Sequence, residues 1–121
     1  MVAIPLGKIS AATPGTPQQI TAATVATAAA ALGLTLPAGG FVAKLLITPD
    51  PANAGTVYVC AKASNTPTPT WAKVNALAKP TATGKNGEFA HNYTGDLIDP
   101  SRYAIDVAVG GEGALVTVWV Q

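Results

Sequence analysis

Charged side chains are scarce. Asp, Glu, Lys and Arg together make up 11% of the 121 residues, against about 25% in an average soluble protein. Seven Lys and Arg against six Asp and Glu leave a net charge of +1. That balance supplies no basic field for nucleic acid or anionic lipid and no acidic tail. Nucleic acid is therefore excluded as the main partner, because phosphate-driven binding needs clustered cations. Cysteine is nearly absent too. The single Cys60 cannot close an internal disulfide, which excludes a cross-linked secreted scaffold and leaves stability to packing. It lies in Thr56-Val57-Tyr58-Val59-Cys60-Ala61, a run with strand character and no adjacent His or cationic pair to lower its pKa. A small buried apolar residue is the reading this favours over a reactive thiol.

Histidine occurs once, as His91, so a multi-histidine metal site and structural zinc are excluded. His91 has no Gly-x-Ser-x-Gly nucleophile to serve, and Ser10, Ser64 and Ser101 stand in loop-like contexts. Asp96, Asp99 and Asp106 are near one another but lack Asp-x-Asp-x-Asp-Gly spacing, so they read as turn or solvent-face residues rather than a calcium loop or a glycosidase pair. Gly110-Gly111-Glu112-Gly113 leads into a valine-rich strand, with neither a helix start nor a Lys after it. It reads as a hairpin turn, not a phosphate cradle. Aromatics amount to 6%; Tyr58, Tyr93 and Trp119 read as core anchors, while Trp71, just beyond Asn65-Thr66-Pro67-Thr68-Pro69-Thr70, is the one best placed to meet a partner. The expectation is a protein with no catalytic residue, no cofactor and no metal.

A long strongly apolar run is missing as well. Ile9 to Ala43 carries no charge, but its middle, Ile20 to Leu36, is mostly Ala and Thr and is interrupted by Gly33, with Pro37 after it. It falls short of the ~20 apolar residues of a spanning helix, so no membrane partner is expected. Pro5, Gly7, Pro14, Gly15 and Pro17 stand where the apolar region of a signal peptide would be. The mature chain is accordingly expected to start at Met1 and to be made in the cytoplasm.

What remains is abundant Ala, Val, Thr, Gly and Pro: 49% of residues are apolar and mean hydropathy is +0.34. The length suits one domain. Residues 1–18, with their five Pro and Gly, read as an extended N-terminal arm or edge strand, because each Pro fixes its own φ and biases its predecessor away from helix. Ala22 to Leu32 holds seven Ala, with Thr21 as N-cap and Gly33 as stop, and is the one short helix candidate. From Phe41 the texture becomes short strands between turns: Phe41 to Thr48, Thr56 to Ala61, Thr70 to Leu77 and Glu88 to Tyr93, with a loop over Lys79 to Gly87. Tyr103 to Val109 and Ala114 to Val120 alternate with period two and read as a terminal hairpin. The return strand is apolar on both sides, with Ala114, Val116, Val118 and Val120 on one and Leu115, Thr117 and Trp119 on the other. One face is expected to meet the core and the other to need cover from the domain or from a partner. The expected fold is all-β: a single β-sandwich, jelly-roll-like, or a small barrel, with residues 19–121 as its β-rich domain.

Ile47-Thr48-Pro49-Asp50-Pro51-Ala52-Asn53-Ala54-Gly55-Thr56-Val57-Tyr58-Val59, together with Arg102-Tyr103-Ala104-Ile105-Asp106-Val107 and Gly111-Glu112-Gly113-Ala114-Leu115-Val116-Thr117-Val118-Trp119, resembles short virion proteins of tailed bacteriophages. In small capsid-decorating β domains of that group a strand, an Asn-x-Gly turn, a Val-Tyr-Val strand and a valine-rich hairpin recur. The resemblance covers about residues 41–61 and 102–121; Cys60 stands where the pattern suggests glycine. It implies a non-enzymatic capsid decoration or cement protein on the virion surface, bound to the major capsid protein and forming dimers, trimers or lattice contacts. A phage tail or fibre adhesion module, binding a receptor, is the alternative it leaves open. Sparse charge and an extended arm suit assembly, because surfaces buried by neighbours need little charge and arms add strands to partner sheets. The residues expected at a partner interface are Val2, Ile4, Leu6 and Ile9 of the arm, and Trp71.

Overall fold

The computed structural model describes residues 2–36, 41–64, 69–77, 88–91 and 97–120, with backbone only for His91. Outside the described residues lie the Lys79 to Gly87 loop, Pro37, Asn65-Thr66-Pro67-Thr68, Tyr93, Gly95 and Asp96. The elements in chain order are β1 (Val2–Ser10), β2 (Gln18–Gln19), α1 (Ala22–Ala31), β3 (Lys44–Pro49), β4 (Val57–Ser64), β5 (Thr70–Leu77), β6 (Phe89–His91), a 3-10 turn (Pro100–Arg102), β7 (Tyr103–Val107) and β8 (Gly113–Val120). They form two four-stranded antiparallel sheets, ordered β1-β8-β3-β6 and β2-β7-β4-β5. The all-β expectation holds, as an open sandwich of two sheets with one helix.

Strand alternation builds the core. In β3, Leu45 and Ile47 point inward between Lys44, Leu46 and Thr48; in β8, Ala114, Val116, Val118 and Val120 do the same. Val57 and Val59 of β4, Leu77 of β5, and Ile105 and Val107 of β7 face them from the second sheet, and all belong to one continuous apolar cluster. Full burial of each such aliphatic side chain is worth about 1.5–3 kcal/mol, so this interior is the main source of stability. The rings of Phe89 and Tyr103 also meet, with centroids 5.3 Å apart.

The N-terminal segment is part of this core. β1 pairs with β8 from Val2↔Val120 to Ser10↔Gly113, with a bulge between Pro5 and Gly7 that leaves Leu6 without a partner. Gly7 adopts φ +77° there, a conformation that suits glycine. Strict alternation places Ile4 and Ile9 on opposite faces. The one-residue bulge restores the phase, so both are buried, at 0% and 8% exposure. Of the two readings of this segment, arm or edge strand, the structure has the edge strand, since β1 is the outermost strand of its sheet. The expectation that Ile4 and Ile9 meet a partner is corrected, because these side chains are spent on the domain's own interior.

The terminal hairpin also needs correction. β7 and β8 do not pair; they lie in different sheets, and Gly110 to Gly113 carries the chain from one to the other. As a hairpin, both strands would direct their apolar faces to the same side of one sheet. As an arch, Ile105 and Val107 instead oppose the inward face of β8 across the core. Glycine is required at two points of this arch by close backbone approach: a Cβ on Gly113 would lie 2.2 Å from the Ile9 carbonyl oxygen, and one on Gly110 would lie 2.6 Å from that of Ala12. The Asn53 turn is fastened to the same arch. Asn53 Nδ2 donates to the Gly113 carbonyl at 2.7 Å, and the Glu112 carboxylate accepts from the backbone N–H groups of Ala54 and Gly55.

Helix α1 follows its sequence signals. The Thr21 side chain accepts from the Thr24 N–H at 3.2 Å, and Gly33, at φ +72°, ends the helix while the Leu34 N–H returns to the Ala29 carbonyl at 2.9 Å. Val25 and Ala29 enter the core cluster. Leu6 of β1 and Ala23, Thr24, Thr27, Ala28 and Ala31 of α1 line a shallow groove between strand and helix.

The four described sheet edges are all poor templates for a further strand. β1 carries Pro5, a bulge and Lys8; β5 is paired through two register shifts and carries Lys73; β2 and β6 have two and three residues. Such features blunt edge-to-edge pairing.

Candidate functional site

The outer faces of the two sheets are the surfaces on which function can be placed. On the first sheet the register sets three rows side by side: Ala3, Trp119 and Lys44; Pro5, Thr117, Leu46 and Ala90; and Lys8, Leu115 and Thr48. No described element lies over them. Every one of these residues is exposed or half-buried, and Leu115 keeps 40% of its surface. The only charges in the rows are Lys44, whose ammonium sits 4.7 Å from the Trp119 ring centroid, and Lys8, paired with Asp50 at 3.3 Å. The Asp50 carboxyl is held below its ordinary pKa, first by the Ala52 N–H and then by Lys8. Of the two apolar faces of β8, the one bearing Leu115, Thr117 and Trp119 is therefore left bare by the described part of the domain.

The second sheet is different. Its outer face holds a groove of ≈ 740 Å³, floored by Cys60 and Asp106 and walled by residues 15–19 on one side and Pro69 to Trp71 with Lys73 on the other. Asp106, expected on a solvent face, is 2% exposed. The reason is tertiary: the chain leading into β2 crosses this face, and the Gly15 N–H donates to Asp106 Oδ1 at 3.0 Å. The neighbouring Val107 N–H donates to the same oxygen at 2.8 Å. Asp106 Oδ2 faces the Lys73 ammonium at 4.0 Å, and that ammonium also lies 4.1 Å from the Tyr58 ring centroid. Burial, and secondarily the Asp106 charge, pushes the Cys60 thiol up, in keeping with an inert packed thiol.

Of the residues expected at an interface, Ile4 and Ile9 are core, Leu6 is half-buried against the core beside α1, and Val2 is 46% exposed at the start of β1. Trp71 is half-buried on the wall of the groove. The structure thus brings Trp71 together with none of the β1 residues. Sequence reasoning missed the Lys73–Asp106 pair and the Gly15 tether, since nothing local signals that β5, β7 and residue 15 converge. Among the described residues no three His, Cys, Asp or Glu side chains cluster as metal ligands, and no helix is long and apolar enough to cross a membrane. Comparison with protein-family models, curated proteins and solved structures finds no match for this chain.

Proposed function

We propose that this protein is a non-enzymatic virion component, a capsid decoration or cement protein that seats on major capsid subunits of a tailed bacteriophage and reinforces the shell. The observation that carries the reading is the bare outer face of the first sheet, where Ala3, Pro5, Leu46, Leu115, Thr117 and Trp119 form a continuous weakly charged surface. Buried interface centres are depleted in charge and enriched in aromatic residues, which is the character of this face. The blunted edges favour association through that face over strand addition. The likeness of residues 41–61 and 102–121 to decoration domains supports the same reading, and the Asn53 and Glu112 contacts join those two stretches into one unit. Contact through a weakly charged face depends little on salt, so attachment at low and high ionic strength should differ by less than about tenfold.

The test is to locate the chain in a cryo-EM map of its native particle. Density on the shell between major capsid subunits, with the first sheet's outer face inward, is the expected result. Density on the tail or its fibres overturns it and selects an adhesion module, a second reading that the groove beside Trp71 supports. Leu115→Glu should weaken attachment to the shell at least about tenfold, about 1.4 kcal/mol.

A further inference from the structure

We propose that the groove on the outer face of the second sheet is a binding site for a neutral saccharide. The proposal concerns the isolated chain and does not rest on its seat in a virion. With a volume of ≈ 740 Å³, the groove falls within the range of small-molecule clefts, about 300–1,000 Å³. Its lining narrows the ligand class. Asp106 offers acceptors only and Lys73 donors only, and the two face each other at 4.0 Å, longer than the roughly 2.7–2.9 Å of a direct charge-assisted bond. A hydroxyl group donates and accepts at once, so one placed between them satisfies both. Thr16, Gln18 and Thr70 on the rim carry hydroxyl and amide groups with the same dual capacity.

Trp71 adds the apolar half of the recognition. The C–H face of a pyranose ring is apolar and weakly positive at its hydrogens, which suits the negative face of an indole. Charge excludes the neighbouring ligand classes: Lys73 and Asp106 offset each other, leaving no net field for a phosphate, a sulfate or an acidic sugar. A purely apolar ligand would strand the polar groups of the groove without partners.

The site is also held in shape before any ligand arrives. Its floor is pleated sheet, its wall is pinned by the Gly15 bond to Asp106 and by the 2.8 Å bond from Gln19 Nε2 to the Ser101 carbonyl, and the Tyr58 ring fixes the Lys73 ammonium. Little ordering entropy is therefore left to lose on binding.

The test uses the full chain with Trp119→Phe, so that Trp71 is its only tryptophan emitter. An array of neutral oligosaccharides of glucose, galactose, mannose and N-acetylglucosamine, with sialylated and sulfated glycans beside them, identifies the probe, and Trp71 emission is then titrated with it. Saturable binding of a neutral glycan that shifts Trp71 emission, weakens at least about tenfold in Lys73→Gln, and is unchanged in Lys8→Gln is the expected result. Three outcomes overturn the proposal: no neutral glycan moves Trp71 emission up to about 10 mM, binding is confined to acidic glycans, or Lys73→Gln binds as the parent does. Lys73→Gln keeps a polar donor beside the buried Asp106 carboxylate, and melting curves of the variant, taken first, establish that it is folded at the titration temperature, so that a loss of binding is read at the groove.

Discussion

The outer faces of the two sheets are made from the same palette of small apolar residues, threonine and a few lysines, yet they differ in what covers them. Among the described residues nothing crosses the first sheet, so Leu115, Thr117 and Trp119 stay accessible; the second is crossed by the chain leading into β2, which buries Asp106 and leaves a groove beside the crossing. Alternation puts residues on an outer face. Whether that face becomes a docking surface or a site depends on where a segment distant in sequence passes.

The comparison can be broken most severely at β1, which contributes to the first face from outside and to the core from inside. Deleting residues 2–10 removes Ile4 and Ile9 and strips β8 of a neighbour along its whole length. Loss of two buried isoleucines alone costs about 4–10 kcal/mol, comparable with the full stability of a small domain. The expected outcome is a chain with no cooperative melting transition; a truncated protein that melts normally would return β1 to the status of an arm.

Gly113→Ala comes next, because its Cβ would overlap the Ile9 carbonyl and the backbone must shift. A loss of about 3 kcal/mol is expected in chemical denaturation. Asp106→Ala should cost about 2 kcal/mol by leaving the Gly15 N–H without its acceptor, whereas Leu115→Ser, on the bare face, should change stability by no more than about 0.5 kcal/mol. Equal effects of these two substitutions would abolish the distinction between the faces.

Titration supplies the finest test. Because burial raises the Cys60 pKa, the native state keeps its thiol proton after the unfolded chain has lost its own. The stabilisation is complete below the ordinary thiol value of 9.0 and is lost as pH rises through the native pKa. Alkylation of the folded protein at pH 8 should accordingly be far slower than that of the urea-unfolded chain. Asp50 has the opposite sign: its lowered pKa contributes stability above the ordinary carboxylate range, and that contribution disappears as pH falls through the native value. Asp50 is half-buried, but its partner Lys8 is exposed and the pair is screened by solvent, so Asp50→Asn should produce the smallest change, a slight flattening of melting temperature against pH in the acid range.

Much of the molecule was legible in order along the chain. Thr70–Leu77 was read with its observed limits, α1 with its Thr21 cap and Gly33 stop, and the two faces of β8 residue by residue, though not which of them points inward. The failures all involve partners. The bulge at Leu6 was hidden behind a Pro and a Gly that also signal a loop, so Ile4 and Ile9 were assigned to a partner interface instead of to the core. Gly110 to Gly113 was recognised as a turn but assigned to a hairpin. Asp106 and Lys73, the charged pair of the groove, sit on strands that only meet through β4.

By itself, the sequence determined what depends on near neighbours: which side of each strand is apolar, where the helix is capped, and that paired cysteines and multiple histidines are missing. Tertiary structure alone decided which sheet each strand joins, that β7 and β8 arch instead of pairing, and which outer face is crossed. The physical reason is that side-chain alternation and capping are set within a few residues by backbone geometry. Strand partners are chosen instead by competition among all apolar faces for the same interior, a competition settled only when residues as far apart as Gly15 and Asp106 are in contact.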